Sequence, residues 1–426
     1  MKIVFSSLQW FAFIMASVII APLSVGVAFQ LDVEQIASLL QRSFFVIGLT
    51  SILQVLFGHK LPIIEGPAGV WWGVFLIYAS VAVEIGDSTV IWQQLMMGLI
   101  ISGCIFIFLG AFNQLNRLIT IFTPLVTATY LLLLMGQLSG PFLKGMLGIG
   151  YFDTSMNAKV ALASIAILIM SILFSKSRWS WIGRYSILWS LLLGWALFYV
   201  LGLTKPLAIK AAGVSVFPEV FPFGLPQFNL GMLITVIIST LLLLTNMLAS
   251  IEAMNAVMDE KKKNVRYRQS SIVMGINQII AAVFSSMGNV PISGSAGFIL
   301  TTKMKRKLPF IIGSLIMLSI SFIPSLMIML ASIPAPVGYA TIFIAMANMG
   351  ALGISELVKS QPSFQQLVIV GISLMVGLGV NYIPNEAVSH LPMSIRTIAN
   401  NGLIIGVITC ILLQKKTTNK EKSVES

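Results

Sequence analysis

Apolar runs of about twenty residues recur from one end of the chain to the other. Each is long enough to cross roughly 30 Å of hydrocarbon as a helix. The runs fall at 5–29, 36–57, 61–81, 90–113, 118–138, 160–175, 186–203, 230–257, 271–287, 289–302, 309–333, 337–356, 366–384 and 392–413. The pattern predicts an all-α polytopic membrane protein with 14 transmembrane segments. No polar block between runs is large enough to form a soluble domain. The first run, Phe5 to Phe29, follows a single lysine and has no small-residue cleavage site, so it reads as a retained span and not a signal peptide.

Composition agrees with this reading. Of the 426 residues, 57% are hydrophobic and 9% charged, where a soluble domain carries roughly a quarter charged residues. The net charge of +12 is not a nucleic-acid footprint, because of where the charges lie. Loops after even-numbered spans and the two termini hold twenty of the 26 basic residues, among them Lys60, Arg117, Arg184, Lys261, Lys303, Lys307 and Lys359. Loops after odd-numbered spans hold Lys144, Lys159, Lys205 and Lys210, while Arg42 and Arg396 lie inside spans. This segregation matches the charge bias of insertion, and it places both termini and the tail 414–426 in the cytoplasm of a cell-membrane protein. Cys104 and Cys410 lie in apolar runs and the two histidines are His59 and His390, which excludes a disulfide framework and a metal site. No Walker-type loop is present, so ATP drive is excluded. Paired acids, a Ser/Lys dyad and metal ligands within spans are likewise missing, so the chain reads as a non-enzyme without a cofactor.

The stretch "TKPLAIKAAGVSVFPEVFPFGLPQF", rich in proline and glycine, separates the seventh and eighth spans and divides the chain into seven-span halves. Seven is odd, so similar halves insert in opposite orientations, the geometry of 7+7 inverted repeats. Span three begins "LPIIEGPAGVWWG" and span ten contains "VPISGSAGFILTT". Pro62, Ile63, Gly66, Ala68 and Gly69 align with Pro291, Ile292, Gly294, Ala296 and Gly297 across a one-residue gap, and each motif sits in the third span of its half. Close helix packing is the ordinary meaning of such small residues; their matched positions point instead to two broken spans. Proline removes a donor and glycine tolerates the turn. Each segment should therefore enter extended and become helical at the glycine, with the two half-helix N-termini facing one another near the midplane. Such a site suits a small polar ligand with carbonyl acceptors or negative charge. A passive channel would not call for it.

These residues resemble the nucleobase–ascorbate transporter family, also called nucleobase:cation symporter-2. The family's span-ten signature is Gln, Glu or Pro, then Asn, any residue, Gly, four residues, Thr, and Arg, Lys or Gly. This chain offers Gly294-Ser295-Ala296-Gly297, four residues, then Thr302-Lys303; the first two positions depart. "LQWFAFIMASVIIAPL" is similar to the family's span-one opening, with Trp10 where the family has histidine, and "LPIIEGPAG" to its span-three start. The resemblance implies a core domain of spans 1–4 (1–115) and 8–10 (229–308, continuing into span 11 to about 334). It implies a gate domain of spans 5–7 (116–228) and 12–14 (335–413), short antiparallel strands beside half-helices in spans three and ten, and a homodimer. By the same resemblance Ser17, Ala68, Gly69, Ser293, Gly294 and Ser295 contact substrate. "TNMLASIEAM" in span eight supplies Asn246 and Ser250, while a register two residues on brings Glu252 to the second polar position.

Where family proton symporters carry an acid in span eight and often Glu or Gln in span ten, this chain has Asn246 and Gly294. Two acids inside spans, Glu65 and Glu252, are then the coupling candidates, since a carboxylate in a bilayer marks a pathway or relay by default. Glu65 could equally cap a half-helix or pair with a basic group such as Arg42, and Glu252 could be interfacial. Asn246 could read an amide edge of a base or simply join two helices. Ser293 and Ser295 could cap their half-helix, and Trp71 and Trp72 could stack on a base or pack. The expected function is import of a nucleobase, a purine such as xanthine, uric acid or guanine, or uracil, by proton symport with elevator-like movement. The alternative is an anion transporter of the sulfate/bicarbonate type sharing the fold. The expected partners are the nucleobase, protons and the lipid bilayer, with no nucleic acid.

Overall fold

The computed structural model describes residues 2–112, 123–179, 182–183, 186–204, 214–258, 266–302, 304–383, 387 and 402–425. Positions 113, 118–122, 384 and 392–401 of the apolar runs lie outside the described residues. So do 205–213 of the long loop and the basic residues Arg117, Arg184, Lys261 and Lys303. The first run folds as two helices in line, α1 (Lys2–Val18) and α2 (Ile20–Ala28). They part where Pro22 withholds the N–H that the Val18 carbonyl would accept. A capping box starts α3 (Val33–Leu56): the Asp32 carboxylate accepts from Gln35 N–H at 2.8 Å, and the Gln35 side chain accepts from Asp32 N–H at 3.1 Å. β1 (Glu65–Pro67) and α4 (Gly69–Ile85) follow, the helix ending at Gly86, whose φ of 75° a side chain would resist.

Asp87 caps α5 (Ser88–Ala111), Thr123 caps α6 (Pro124–Met146) and Asn157 caps α7 (Ala158–Ser175). Next come α8 (Ser186–Val200), α9 (Leu230–Met258), α10 (Tyr267–Val283), β2 (Asn289–Pro291) and α11 (Gly294–Thr302). The chain continues through α12 (Lys307–Ile320), α13 (Pro324–Ala331), α14 (Ala335–Lys359), α15 (Phe364–Gly379) and α16 (Gly402–Glu425). Among the described residues, six helical segments are long and apolar enough to cross a membrane. They are Ile3–Ala28, Val33–Leu56, Ser88–Ala111, Pro124–Met146, Ala158–Ser175 and Leu230–Asn255. This is an all-α polytopic membrane fold.

Within the run 309–333 the helix breaks, and α12 and α13 meet at 87°. The cause is local: the Ser321 hydroxyl turns back to Leu318 O at 2.6 Å, and Pro324, first in α13, brings no N–H to continue the ladder.

Small residues set the closest helix crossings. A Cβ on Gly103 of α5 would lie 2.6 Å from the Gly275 carbonyl of α10, and the Ser271 hydroxyl donates to Phe106 O at 2.7 Å across the same seam. Thr240 joins α9 to α5 through Ser102 at 2.8 Å. Elsewhere α6 packs on α14 and α15 on α16. β1 and β2 form a two-stranded sheet enclosed by α1, α3, α9 and α10. That sheet positions everything that follows.

Candidate substrate site

After α3 the chain reverses at Lys60, which takes a φ of 60°, and Pro62 keeps it extended. β1 then pairs antiparallel with β2, with Glu65 opposite Pro291, Gly66 opposite Val290 and Pro67 opposite Asn289. Two bonds lengthen the ladder: Ile292 N–H donates to Ile64 O at 2.9 Å, and Ala68 N–H to Gly288 O at 3.0 Å. Proline closes each strand, and helix follows in both cases. Ala68 is the N-cap of α4 and has no side-chain oxygen to cap with, so the helix's opening amides lack an internal partner. In α11 the first turn is tighter: Ser295 N–H reaches Ile292 O at 3.1 Å and Ala296 N–H reaches Ser293 O at 2.9 Å. Two helix N-termini are thus tied together by one short ladder.

Most of the residues expected to contact substrate collect around this ladder. Ala68 is buried within it and Gly69 opens α4. Gly294 opens α11 and is exposed; a Cβ added there would meet Ile292 at 3.5 Å and Phe13 at 3.9 Å. Ser293 is exposed beside it. Ser295 is buried, and its hydroxyl accepts from Ile64 N–H at 3.1 Å, so it joins the two breaks and does not cap its own helix. Ser250 on α9 is buried and donates to Pro291 O at 2.7 Å, bracing β2 from the side. One turn earlier, Asn246 is half-buried. Ser17 on α1 returns its hydroxyl to Phe13 O at 2.7 Å. Its neighbour Val18 approaches Gly66.

Glu252 is not part of this group. It is exposed and accepts a hydrogen bond from the Tyr267 hydroxyl at the start of α10. Burial, and then this carboxylate, push the Tyr267 phenol upward.

Glu65 lies at the opposite extreme, with no exposure. Its N–H donates to Ser51 Oγ of α3 at 3.0 Å, and its Oε1 stands 3.4 Å from His59 Nε2. His59 is itself buried, and its Nδ1 accepts from Leu61 N–H at 3.0 Å. That bond assigns the hydrogen of a neutral ring to Nε2, where it points at the carboxylate. The Asn277 side chain of α10 faces the carboxyl, and Glu65 Oε2 has no partner in hydrogen-bonding geometry among the described residues.

The partner expected for Glu65 from the sequence, Arg42, is elsewhere. It lies nine positions before Ser51 on α3, about 13 Å along the axis. Its Nη1 donates to Ser38 Oγ at 2.8 Å and its guanidinium lies 5.5 Å from the Phe223 ring centre. The tryptophans after the break pack instead of forming a platform. Trp72 Nε1 donates to Ser24 Oγ at 2.7 Å, and buried Trp71 meets Phe75 edge-on. The ring nearest the open Gly294 is Phe13, stacked on Phe298 with centroids 4.4 Å apart.

Sequence reasoning treats His59 as an isolated histidine and passes over the polar seam that carries the sheet. Asn289 Nδ2 donates to Thr50 Oγ1 at 3.2 Å, Gln278 Nε2 to Asn289 O at 2.7 Å, and Gln54 Nε2 to Ser270 O at 3.1 Å. A signal is present: Ser43, Thr50 and Gln54 recur at helical spacing through an otherwise apolar span.

The sequence and the architecture converge on one group of proteins. Residues 1–386 match the Permease family (Xan_ur_permease). The chain belongs to this family. A Bacillus subtilis (strain 168) protein named provisionally as the purine permease YwdJ is 38% identical over 421 residues, covering 96% of this chain and 95% of that protein. The xanthine permease of the same organism is 24% identical over 420 residues, covering 96% and 93%. Among solved structures, the transmembrane domain of the cyanobacterial bicarbonate transporter BicA superposes with a TM-score of 0.63 at 13% identity, covering 96% of each chain. At that identity the likeness is one of fold. Permease-family membership makes this chain a multi-pass secondary transporter and not an enzyme.

Proposed function

We propose that this permease imports a nucleobase, a purine such as xanthine, uric acid or guanine, or uracil, by proton symport. The observation that carries the reading is the antiparallel pairing of β1 with β2, which brings the openings of α4 and α11 to one place inside the bundle. Free helix-end amides donate to carbonyl oxygens, and Asn246 can donate to and accept from an amide edge. Ser17, Ala68, Gly69, Ser293 and Gly294 complete the ring of contacts, while Ser250 and Ser295 hold the ladder in register. The names of the relatives, purine permease and xanthine permease, supply the chemical class.

The same reading takes the fourteen apolar runs as 7+7 inverted repeats. The core domain (1–115 and 229–308, continuing to about 334) would slide against the gate domain (116–228 and 335–413) in an elevator-like step, with both termini cytoplasmic and two copies per assembly. Glu65 is the proton carrier and His59 its buried partner. Glu252, exposed and held by Tyr267, is a structural tie. The fold is shared with a bicarbonate transporter, yet Ser17, Asn246, Ser250, Ser293 and Ser295 offer an anion no positive charge.

Uptake of radiolabelled purines, uracil and sulfate by vesicles under an imposed pH gradient tests the proposal. Saturable nucleobase uptake that grows with external acidity is the expected result. Saturable sulfate uptake without competition from nucleobases would overturn it.

A further inference from the structure

At the end of the bundle opposite Lys60, a cavity of about 480 Å³ opens between the first turns of α3 and α5 and the segment 214–229. Its walls are fastened. Gln41 Nε2 donates to Ser215 O at 2.7 Å and to Val216 O at 3.0 Å, Gln93 Nε2 donates to Phe223 O at 2.8 Å, and Phe221 N–H donates to Val283 O at 2.9 Å. The Phe223 ring lies flat on Trp92, with centroids 4.6 Å apart and planes 10° apart. Arg42 lines this cavity with only 2% of its surface exposed. Ser38 takes one of its N–H groups, whereas Nε and Nη2 have no partner among the described residues. The two unmatched donors are the adjacent pair that forms a planar fork. Around the cavity stand three carboxylates, Asp32, Glu34 and Glu219.

A buried fork without acceptors calls for a ligand that supplies two of them side by side. Carboxylates and phosphates have that geometry, but the three acidic neighbours repel an anion. A neutral 6-oxopurine has it as well: O6 and N7 present adjacent acceptors, the pair that arginine grips in guanine. Its N–H groups, on other edges, meet the carboxylates as acceptors. A cavity of this size accommodates such a ring. We infer that the cavity is a loading site for a neutral 6-oxopurine, gripped through O6 and N7 by Arg42 about 13 Å along α3 from the paired strands. The inference rests on the nucleobase reading and adds a second, separate binding place to it.

The test follows the thiol introduced by Thr89→Cys at the cavity wall, in a Cys104→Ser background, as it reacts with a membrane-impermeant maleimide. Hypoxanthine should slow the reaction, and 7-deazahypoxanthine, which lacks the N7 acceptor, should need roughly tenfold more to do so. Arg42→Gln should weaken the protection similarly. So should Arg42→Lys, which keeps the charge and removes the fork, and which guards against a misfolded glutamine variant. Gly66→Leu, which obstructs the paired strands, should leave protection intact. Equal protection by both purines, protection indifferent to both Arg42 variants, or protection lost in Gly66→Leu would each overturn the inference. Protection without transport of any nucleobase would sink the import reading while supporting the ligand assigned to the cavity. Transport without protection would do the reverse.

Discussion

The two strand–helix segments, β1/α4 and β2/α11, share a backbone device and differ in nearly every side chain that matters. The β1/α4 half is closed. A Cβ on Gly66 would collide with Ile292 and crowd Val18, Ala68 has no exposure, and Glu65 is held with His59 beneath the surface. The β2/α11 half is open. Gly294 and Ser293 are exposed, and a Cβ on Gly294 would find nothing nearer than 3.5 Å. One half therefore carries the ionisable chemistry out of reach of a ligand, and the other offers backbone and a hydroxyl to it. On the proposed reading, the first half serves coupling and the second serves contact.

The sharpest way to break the comparison is to fill both glycines. Gly66→Leu must displace the Ile292 side chain across the ladder and that of Val18 on α1, an overpacking that costs about 1–3 kcal/mol. Uptake should fall to background even when the protein reaches the membrane, measured as initial rate per molecule of surface protein. Normal uptake in this variant would mean that the pairing of β1 and β2 is not needed in the working cycle.

The next effect is on driving force. In a one-to-one symporter, a one-unit pH gradient, acidic outside, is worth about 1.4 kcal/mol, or tenfold accumulation. Glu65→Gln should bring accumulation back to the external concentration while exchange of internal for external base continues. Unaltered proton-driven accumulation would remove Glu65 from the relay and return it to a structural role with His59.

Much of the closed half is visible in the sequence, because proline and glycine act on their own backbone. "LPIIEGPAG" and "VPISGSAG" announce where helix cannot continue, and the structure places strands and helix starts there. Partnerships are not visible. Ile64 and Ser295 are 231 positions apart, and Asn289 and Thr50 239 apart. A sequence shows that such groups need hydrogen bonds and leaves open with whom. Charge alone pairs Arg42 with Glu65, although α3 holds the two far apart. The right angle after Ser321 escapes the sequence for another reason: it depends on a serine turning back on its own helix, a conformation that apolar periodicity does not record.

A smaller effect separates bracing from contact within the open half. Ser250→Ala leaves Pro291 O without its buried donor, which costs about 1–3 kcal/mol. Thermal unfolding in detergent should shift downward, and uptake should slow through fewer competent molecules, with little change in KM. If KM rises instead while stability holds, Ser250 touches substrate directly and the bracing role fails. Asn246→Ala is expected to give the contrasting pattern, a raised KM at unchanged stability, since its half-buried side chain is assigned to the substrate.

The smallest expected effect is at the glycine that the family signature would not have placed there. Gly294→Ala adds a methyl where the nearest atoms, Ile292 and Phe13, stand 3.5 and 3.9 Å away, ordinary van der Waals contact. Its backbone has no need of the left-handed region, so a methyl there brings no backbone strain. Stability should therefore hold, and KM should shift by no more than about twofold. A large loss of affinity would show that the base lies directly against the Gly294 backbone, where even a methyl intrudes. A shift within that limit is what the 3.5 Å clearance allows for a substrate that meets the open half through Ser293 and the neighbouring backbone.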